Sequence, residues 1–309
     1  MSRSLVIGSR GSKLALWQSE QAKARLLALN PDIDIRVEII KTTGDVKTDP
    51  LSVIGGKGVF TKELEDALLD GRIDLAVHSL KDLPTVLPDR LTISAICERD
   101  DPRDALVVRD DLKARGGSIL NLPENAVVGT SSQRRVAQLK SLRGDVVVKD
   151  VRGNVDTRLR KLDEEQYDAL ILASAGLRRL ELEHRIDAAI STEEMVPAVG
   201  QGAIAIETRA DDEFTIETTS ALDHEETRLC CLAERAFLRS LGGGCQFPIA
   251  GHAIIENEQL RLDGLVAAPD GAKILRDQLS GALKNTDEIG SALAARLIER
   301  GANSLLNSR

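Results

Sequence analysis

The sequence predicts an α/β protein with more than one domain. Short apolar strands alternate with helical segments along the first two-thirds of the chain, which favours an α/β sheet over a helix bundle or a β-sandwich. The chain has 309 residues, more than a single hydrophobic core usually fills, so two or three domains are expected. Its 42% of hydrophobic and 29% of charged residues are typical of a soluble globular protein.

The first region contains three clear strands and two helices. The strand at residues 5–7 leads through a Gly-Ser-Arg-Gly turn into a helix that begins near Ser12. Residues 33–39 alternate apolar and charged side chains, the period of a strand with one exposed face. A helix over residues 61–69 stops at Gly71, and residues 75–78 form the next strand.

The second region repeats this alternation, and the third departs from it. Buried strands are predicted at four places, with helices between them: residues 105–108, 126–129, 146–148 and 169–172. Two breaks, at residues 98–102 and 196–200, are predicted hinges. Beyond Asp223, which forms a capping-box pattern with Glu226, a helix ends at a triple glycine. Strand-like segments follow, and a last helix runs from near Asn285 to Gly301, which predicts a small separate α/β domain.

Composition excludes several classes of protein. The longest apolar stretch near the N-terminus is too short for a signal peptide, and no run approaches the roughly 20 apolar residues of a membrane span. A cytoplasmic protein is therefore expected. The four cysteines lack the spacing of a zinc site, and no metal is predicted. The 2% of aromatic residues and the net charge of −8 disfavour nucleic-acid binding.

Arginines cluster in the middle of this acidic chain. Five of them lie between Arg134 and Arg158, next to the hydroxyl-rich run Thr130, Ser131 and Ser132. Guanidinium groups form flat bidentate forks that match carboxylate or phosphate, so the cluster predicts a pocket for a multiply charged acid. A solvated charged surface is the alternative. The Gly-Asn turn between Arg152 and Arg158 weighs against it, because these arginines do not fall on one helical face.

Four segments follow predicted strands or helices, where ligands of open α/β sheets collect. Arg10 lies in the turn at residues 8–12, whose free amides could receive an anion. Residues 55–60 resemble a phosphate loop only superficially, because the Gly-Lys-Ser/Thr spacing is absent. Residues 78–84 place Lys81 and Asp82 before a proline that stops the strand, although an edge charge pair is the alternative. Cys245 follows three glycines, which allow a close backbone approach and an exposed thiol.

Five ordered motifs together resemble the hydroxymethylbilane synthase family, also called porphobilinogen deaminase. They are HSLKDLP, VGTSSQRR, VRGNVDTR, PAVGQGA and GGGCQFPI, and the similarity covers essentially the whole chain. The resemblance implies two lobes similar to periplasmic binding proteins and a third domain that carries the cysteine loop. The expected bounds are residues 1–98 with 200–220 for lobe 1, 103–196 for lobe 2 and 223–309 for the C-terminal domain.

The resemblance also implies the activity. Four porphobilinogen molecules would condense stepwise, with release of ammonia, into the linear tetrapyrrole hydroxymethylbilane. The growing chain would be primed on a dipyrromethane cofactor joined by a thioether to Cys245, in a monomeric cytoplasmic transferase without nucleic-acid or membrane partners. Asp82 would stabilise the developing cation and move protons. The implied substrate- and cofactor-binding residues are Arg10, Ser12, Lys57, Phe60, Ser79, Lys81, Thr130, Ser131, Ser132, Arg134, Arg135, Arg152, Gly153, Arg158, Arg179 and Gln201.

Two other classes are open to test. A non-catalytic binding protein for an anionic metabolite would use the same two lobes, bind its ligand reversibly and have no need of Cys245. A nucleic-acid binder would use the arginines on phosphates and show strong salt dependence. The mass of the intact chain separates the synthase from both, because only the synthase carries a covalent adduct.

Overall fold

The computed structural model describes residues 4–43, 60–115, 117–244 and 247–307. Its strands are β1 (Ser4–Ser9), β2 (Asp34–Ile39), β3 (Leu75–Ser79), β4 (Leu91–Ile96), β5 (Asp104–Val108), β6 (Val127–Gly129), β7 (Val147–Lys149), β8 (Ala169–Ala173), β9 (Ala188–Ala189), β10 (Ile204–Arg209), β11 (Ile249–Glu256), β12 (Gln259–Ala267) and β13 (Ile274–Ala282). Its helices are α1 (Lys13–Leu29), α2 (Lys62–Leu69), α3 (Gln133–Leu142), α4 (Val155–Asp163), α5 (Ser174–Arg179), α6 (Glu213–Ser220), α7 (Glu225–Ser240), α8 (Thr286–Glu299) and α9 (Ala302–Asn307). The predicted α/β class is confirmed.

The chain forms two compact units. Unit 1 draws on Met1–Asp100 and Ala203–Arg228, and unit 2 on Asp101–Gly202 and Leu229–Arg309. The chain therefore leaves unit 1 after β4 and returns to it just before β10. The division into three domains at the bounds given above stays a prediction.

Unit 1 is built on a five-stranded sheet in the order β2-β1-β3-β10-β4. β1 runs parallel to β2 and β3, whereas β10 is antiparallel to β3 and β4. Alternate residues of β1 point to opposite faces, so Ile7 packs with Leu26 of α1 while Val6 packs with the cluster around Leu64 of α2. Helices thus cover both faces of the sheet, as the apolar strands require.

Local signals in the sequence explain where these helices begin and end. Ser12 is the N-cap of α1, and its Oγ accepts a hydrogen bond from the Ala15 amide at 3.3 Å. α2 ends two residues before Gly71, which has φ +71°, a left-handed conformation that favours glycine. Both predicted helix boundaries are confirmed.

Unit 2 contains two sheets. The first has five strands in the order β7-β6-β8-β5-β9, with β6 parallel to β7 and β8 and with β5 antiparallel to β8 and β9. The second is the antiparallel meander β11-β12-β13. Phe237 of α7 and Leu293 of α8 lie in its hydrophobic core. A Cβ at Gly290 would lie 2.4 Å from the Ala233 carbonyl oxygen, so α8 can approach α7 this closely only with glycine there.

One predicted cap is wrong. Asp223 does not cap α7, because its Oδ1 accepts the Ile96 amide at 2.7 Å and its Oδ2 accepts Arg228 Nε at 2.7 Å. His224 takes the capping position instead: its Nδ1 lies 3.3 Å from the Thr227 amide nitrogen. Tertiary contacts with β4 therefore replaced the local capping interaction. Among the described residues no helix is long and apolar enough to cross a bilayer.

Candidate active site

Asp82 lies in a short 3-10 turn directly after β3. The strand ends at Ser79, earlier than Pro84 alone would require, and the turn comprises Leu80–Asp82. Leu80 is 1% exposed, and its amide donates to the Ala203 carbonyl at 3.0 Å, which fixes the turn to the sheet. The Asp82 side chain itself is exposed. The carboxylate therefore stands on a rigid turn, in contact with solvent.

A pocket in unit 1 brings Asp82 together with other predicted site residues. Its walls include Arg10, Ser12, Phe60, Ser79 and Asp82. Arg10 and Ser12 come from the turn between β1 and α1, whereas Ser79 and Asp82 follow β3. Because β1 and β3 are parallel neighbours, their carboxyl ends meet at one edge of the sheet. Lys81 is half-buried in the same turn as Asp82.

The Arg10 guanidinium lies over an aromatic ring. Its Cζ is 4.4 Å from the centroid of the Phe60 ring, within the range of a cation–π contact. This contact orients a cation in the wall of the pocket that contains the Asp82 carboxylate. The pocket can thus present both charges to a ligand that carries acidic groups and a cationic centre.

Gln18 is a pocket residue that the sequence reading missed. It is 2% exposed, and its Nε2 donates to Ser79 Oγ at 2.9 Å. Ala15 and Gln18 are three residues apart on α1 and both line the pocket. The available signal was an amide side chain on α1 among the small and apolar residues of its buried face.

His78 also lines this pocket, and its ring contacts a buried carboxylate. His78 Nε2 lies 2.9 Å from Glu207 Oε2, and both side chains are buried. Glu65, on α2, is 7% exposed, and burial raises the pKa of its carboxyl group, with the nearby Glu207 acting in the same direction. His78, Glu207 and Glu65 therefore form a buried acid–base cluster at the pocket wall.

In unit 2, the hydroxyl-rich run lies at the carboxyl end of β6. Ser131 Oγ donates to the Val151 carbonyl at 2.9 Å and accepts the Val151 amide at 3.1 Å. β6 and β7 are parallel, so the residues after each strand share one sheet edge. This bond places Thr130, Ser131 and Ser132 next to the turn that carries Arg152 and Gly153.

That turn has a backbone suited to glycine. Gly153 has φ +104°, and a Cβ there would lie 2.7 Å from Thr157 Cγ2. Arg158 Nε donates to the Gly153 carbonyl at 2.8 Å, and Arg152 Nη2 lies 3.8 Å from Asp150 Oδ2. Both arginine side chains are half-buried. They keep part of their surface available to a ligand.

Arg134 and Arg135 share one buried carboxylate, that of Asp104. Arg134 Nη1 lies 2.6 Å from Asp104 Oδ2, and Arg135 Nη2 lies 2.8 Å from Asp104 Oδ1. Burial alone would raise the pKa of Asp104, but the two guanidinium charges outweigh burial and hold this pKa below its ordinary value. Gln201 Nε2 adds a hydrogen bond to Asp104 Oδ1 at 2.9 Å. Two cations against one anion leave an excess of positive charge.

Arg179 and Arg143 also donate to backbone carbonyls within unit 2. Arg179 is 7% exposed, and its Nη2 donates to the Gly202 carbonyl at 2.5 Å. Arg143, one of the five clustered arginines, donates to the carbonyls of residues 119, 120, 122 and 123 and pairs with Asp145. The cluster seen in the sequence thus combines arginines that organise the fold with arginines that keep exposed surface.

Two predicted site residues, Lys57 and Cys245, lie outside the described residues. Nothing in the geometry above depends on them. In the described part of the chain, no group of three or more His, Cys, Asp or Glu side chains is placed to hold a metal ion.

Solved structures that resemble this chain include small-molecule-binding domains. The effector binding domain of BenM with benzoate is 16% identical, with a TM-score of 0.43 over 70% of this chain and 88% of that chain. A periplasmic binding protein of Salmonella typhimurium with high arginine specificity is 11% identical, with a TM-score of 0.39 over 72% and 92% of the two chains. Likenesses this distant carry no conclusion about ligand or activity.

Sequence comparison is decisive. The family model described as "Porphobilinogen deaminase, dipyromethane cofactor binding domain" matches residues 5–217, and the model of the porphobilinogen deaminase C-terminal domain matches residues 228–299. A relative named porphobilinogen deaminase from Chlorobium phaeovibrioides is 47% identical over 99% of this chain and 98% of its own length. One of the same name from Synechococcus elongatus is 50% identical over 99% and 95% of the two chains. Near-complete coverage at this identity, together with both domain models in order, shows that the chain belongs to the porphobilinogen deaminase family.

Proposed function

We propose that this chain is a hydroxymethylbilane synthase, a transferase that condenses four porphobilinogen molecules head to tail and releases ammonia at each step. The observation that carries the proposal is the pocket in which Asp82 lies with Arg10, Ser12 and Ser79, in a chain of this family. The monomeric state and the cytoplasmic location expected from the sequence remain part of the proposal.

The chemistry that Asp82 performs follows from its charge and position. When the amino group on the aminomethyl side chain of porphobilinogen leaves as ammonia, the C–N bond breaks, and the methylene carbon stays on the pyrrole, which becomes a cationic azafulvene. A carboxylate on a rigid turn stabilises this charge without moving. After the new C–C bond forms, the pyrrole ring carbon that attacked the azafulvene methylene loses its proton, and the same carboxylate can accept it.

The binding role of unit 2 follows from its cations and hydroxyl groups. Each porphobilinogen brings an acetate and a propionate, so the product accumulates carboxylates as it grows. Arg152 and Arg158 retain accessible surface for them, and Ser131 and Ser132 can add neutral hydrogen bonds. At about 4 Å a charge pair is worth roughly 1 kcal/mol in water and about 4 kcal/mol at an effective dielectric constant of 20, so partial enclosure strengthens each contact.

The residues of unit 2 also fit a dipyrromethane cofactor. The described part of the chain contains a buried donor, Arg134 Nε, to which no acceptor is hydrogen-bonded, on the arginine pair that carries excess positive charge. Such donors suit the carboxylates of a dipyrromethane. When bound, this group supplies the nucleophilic pyrrole end from which the product grows. We propose a thioether to Cys245 as its attachment.

The mass of the denatured chain tests the function. It should exceed the sequence mass by one dipyrromethane unit, resist dithiothreitol and map to the peptide that contains Cys245. Cys245→Ala should lack the adduct and the activity, whereas Cys97→Ala, which changes a buried cysteine in unit 1, should keep both.

The outcomes separate the alternatives. An active enzyme with unmodified Cys245 would refute the attachment, and reversible binding of porphobilinogen without turnover would favour the non-catalytic binding protein. An unmodified, inactive preparation should gain both mass and activity when porphobilinogen is added. If it gains neither, the proposal is wrong.

A further inference from the structure

The motif PAVGQGA and the residue before it, Val196, organise the arginine cluster of unit 2. The Val196 carbonyl accepts Arg134 Nη1 at 2.8 Å, and the Gly202 carbonyl accepts Arg179 Nη2 at 2.5 Å. Between them, Gln201 donates to Asp104, the carboxylate shared by Arg134 and Arg135. This one segment therefore supplies one acceptor of Arg134, the Val196 carbonyl, and a donor to the other acceptor, Asp104.

Gln138 holds the start of that segment. It lies on α3 one turn after Arg134 and is 2% exposed. Its Oε1 accepts the Val196 amide at 2.8 Å, and its Nε2 donates to the Val196 carbonyl at 3.1 Å. One side-chain amide thus pairs with both polar backbone groups of Val196, as a neighbouring strand would. Nε2 also lies 3.3 Å from the Arg134 carbonyl oxygen.

The Val196 carbonyl connects the two side chains. It accepts hydrogen bonds from Gln138 Nε2 and from Arg134 Nη1, and Val196 is 0% exposed, so water does not replace a lost donor. Loss of the Gln138 amide would leave the buried Val196 N–H without that acceptor and the Val196 carbonyl without one donor, which favours a rotation about the backbone bonds of Val196. Such a rotation would remove one of the two acceptors that set the direction of the Arg134 guanidinium.

We propose that Gln138 is a positioning residue for Arg134: by holding Val196 it fixes the guanidinium so that Nε faces the carboxylates of the dipyrromethane. Gln138 itself touches no ligand in this scheme. The proposal rests on the function proposed above, in which Arg134 Nε is a donor for the carboxylates of the dipyrromethane. The proposal adds that a neutral side-chain amide, on the same helix as Arg134, aligns the Arg134 guanidinium.

Kinetics provide the first test. Gln138→Met keeps the size of the side chain and removes both bonds to Val196, whereas Gln138→Glu keeps the acceptor and removes only the donor. We expect kcat/KM for porphobilinogen to fall about tenfold in Gln138→Met and by less in Gln138→Glu. Gln278→Met, on the exposed face of β13, is the matched control and should retain the parent value.

A double-mutant cycle distinguishes positioning from general destabilisation. If Gln138 acts through Arg134, the double variant Gln138→Met with Arg134→Lys should be no slower than Arg134→Lys alone. Losses in kcat/KM that multiply would overturn the proposal.

A spectroscopic measurement tests the same link without activity. In protein labelled with ¹⁵N-arginine, the Nε–H signal of Arg134 is identified by its absence in Arg134→Lys. This signal should shift or broaden in Gln138→Met and Gln138→Glu and stay in place in Gln278→Met. An unchanged signal would refute the proposal, while a parent protein that fails to convert porphobilinogen would refute the proposed function instead.

Discussion

Glu207 Oε2 lies 2.9 Å from His78 Nε2 inside unit 1, where both side chains are buried. The two residues come from neighbouring antiparallel strands: His78 is paired with Ala205, two residues from Glu207, so the side chains meet diagonally on one face of the sheet. Glu65 adds a second carboxyl group to this environment. A strand of the main sheet thus places a buried acid–base pair behind the pocket of Asp82.

Glu65→Gln should change the pH dependence of stability. Burial raises the pKa of Glu65 above its ordinary value of 4.5, so the folded state binds the proton more tightly than the unfolded state. This contribution to stability is fully present below pH 4.5 and is lost as the pH rises through the folded-state pKa. Glutamine does not titrate, so the variant does not lose stability as the pH rises through this range. In urea unfolding, the free energy of unfolding of Glu65→Gln should rise relative to that of the parent between pH 4 and pH 8. A difference that stays constant over this range would contradict the raised pKa of Glu65.

Asp82→Asn should lower turnover by about a hundredfold or more, because the fold is kept while the charge that stabilises the cationic intermediate is lost. Asp82→Glu should be milder, since it keeps the charge and misplaces it. The thermal midpoint should be unchanged, as the side chain is exposed. Asp89→Asn, an exposed aspartate in unit 1, is the control. Near-normal product formation by Asp82→Asn would remove Asp82 from the mechanism.

Asp104→Asn should destabilise the protein by about 3–5 kcal/mol, because two buried guanidinium groups would lose their shared counter-charge. The free energy of unfolding in urea measures this effect. Asp110→Asn, which breaks an ion pair with Lys113 at the surface, should change little. Equal effects of the two substitutions would show that the Asp104 cluster is not a structural centre of unit 2.

Arg158→Leu and Arg135→Leu should fail in different ways. Arg135 is buried against Asp104, so its loss should lower the unfolding free energy and impair assembly of the cofactor complex. Arg158 is half-buried and bonds the Gly153 carbonyl, so its loss should leave stability near that of the parent and act mainly on substrate addition.

Native mass spectra of each arginine variant should show where elongation stalls. The control is Arg160→Leu, an exposed arginine on the same helix as Arg158. If Arg135→Leu and Arg158→Leu both release product like the parent and the control, these two arginines serve only the fold.

The class of fold, the family and the positions of most elements follow from patterns within the sequence. Strands β1, β3 and β8 are runs of apolar residues, and signals such as Ser12 and Gly71 mark helix ends through local hydrogen bonding and backbone conformation. These features depend on residues close together in the chain, so a single sequence contains them. Each of the five motifs is likewise a contiguous run of residues, so the motifs and their order identified the family from the sequence.

Which charged and polar groups meet depends on how distant segments pack together. Asp104 was not among the predicted site residues, yet its carboxylate pairs with two arginines about 30 residues away in the chain. Gln18 and Ser79 are separated by 61 residues and meet because α1 packs beside β3, while Asp223 left its expected cap to bind the Ile96 amide, 127 residues distant. Such pairs form because buried polar groups need hydrogen-bonding partners, and the fold supplies those partners from distant parts of the chain. The spacing of two residues in the sequence does not show how close they lie in space.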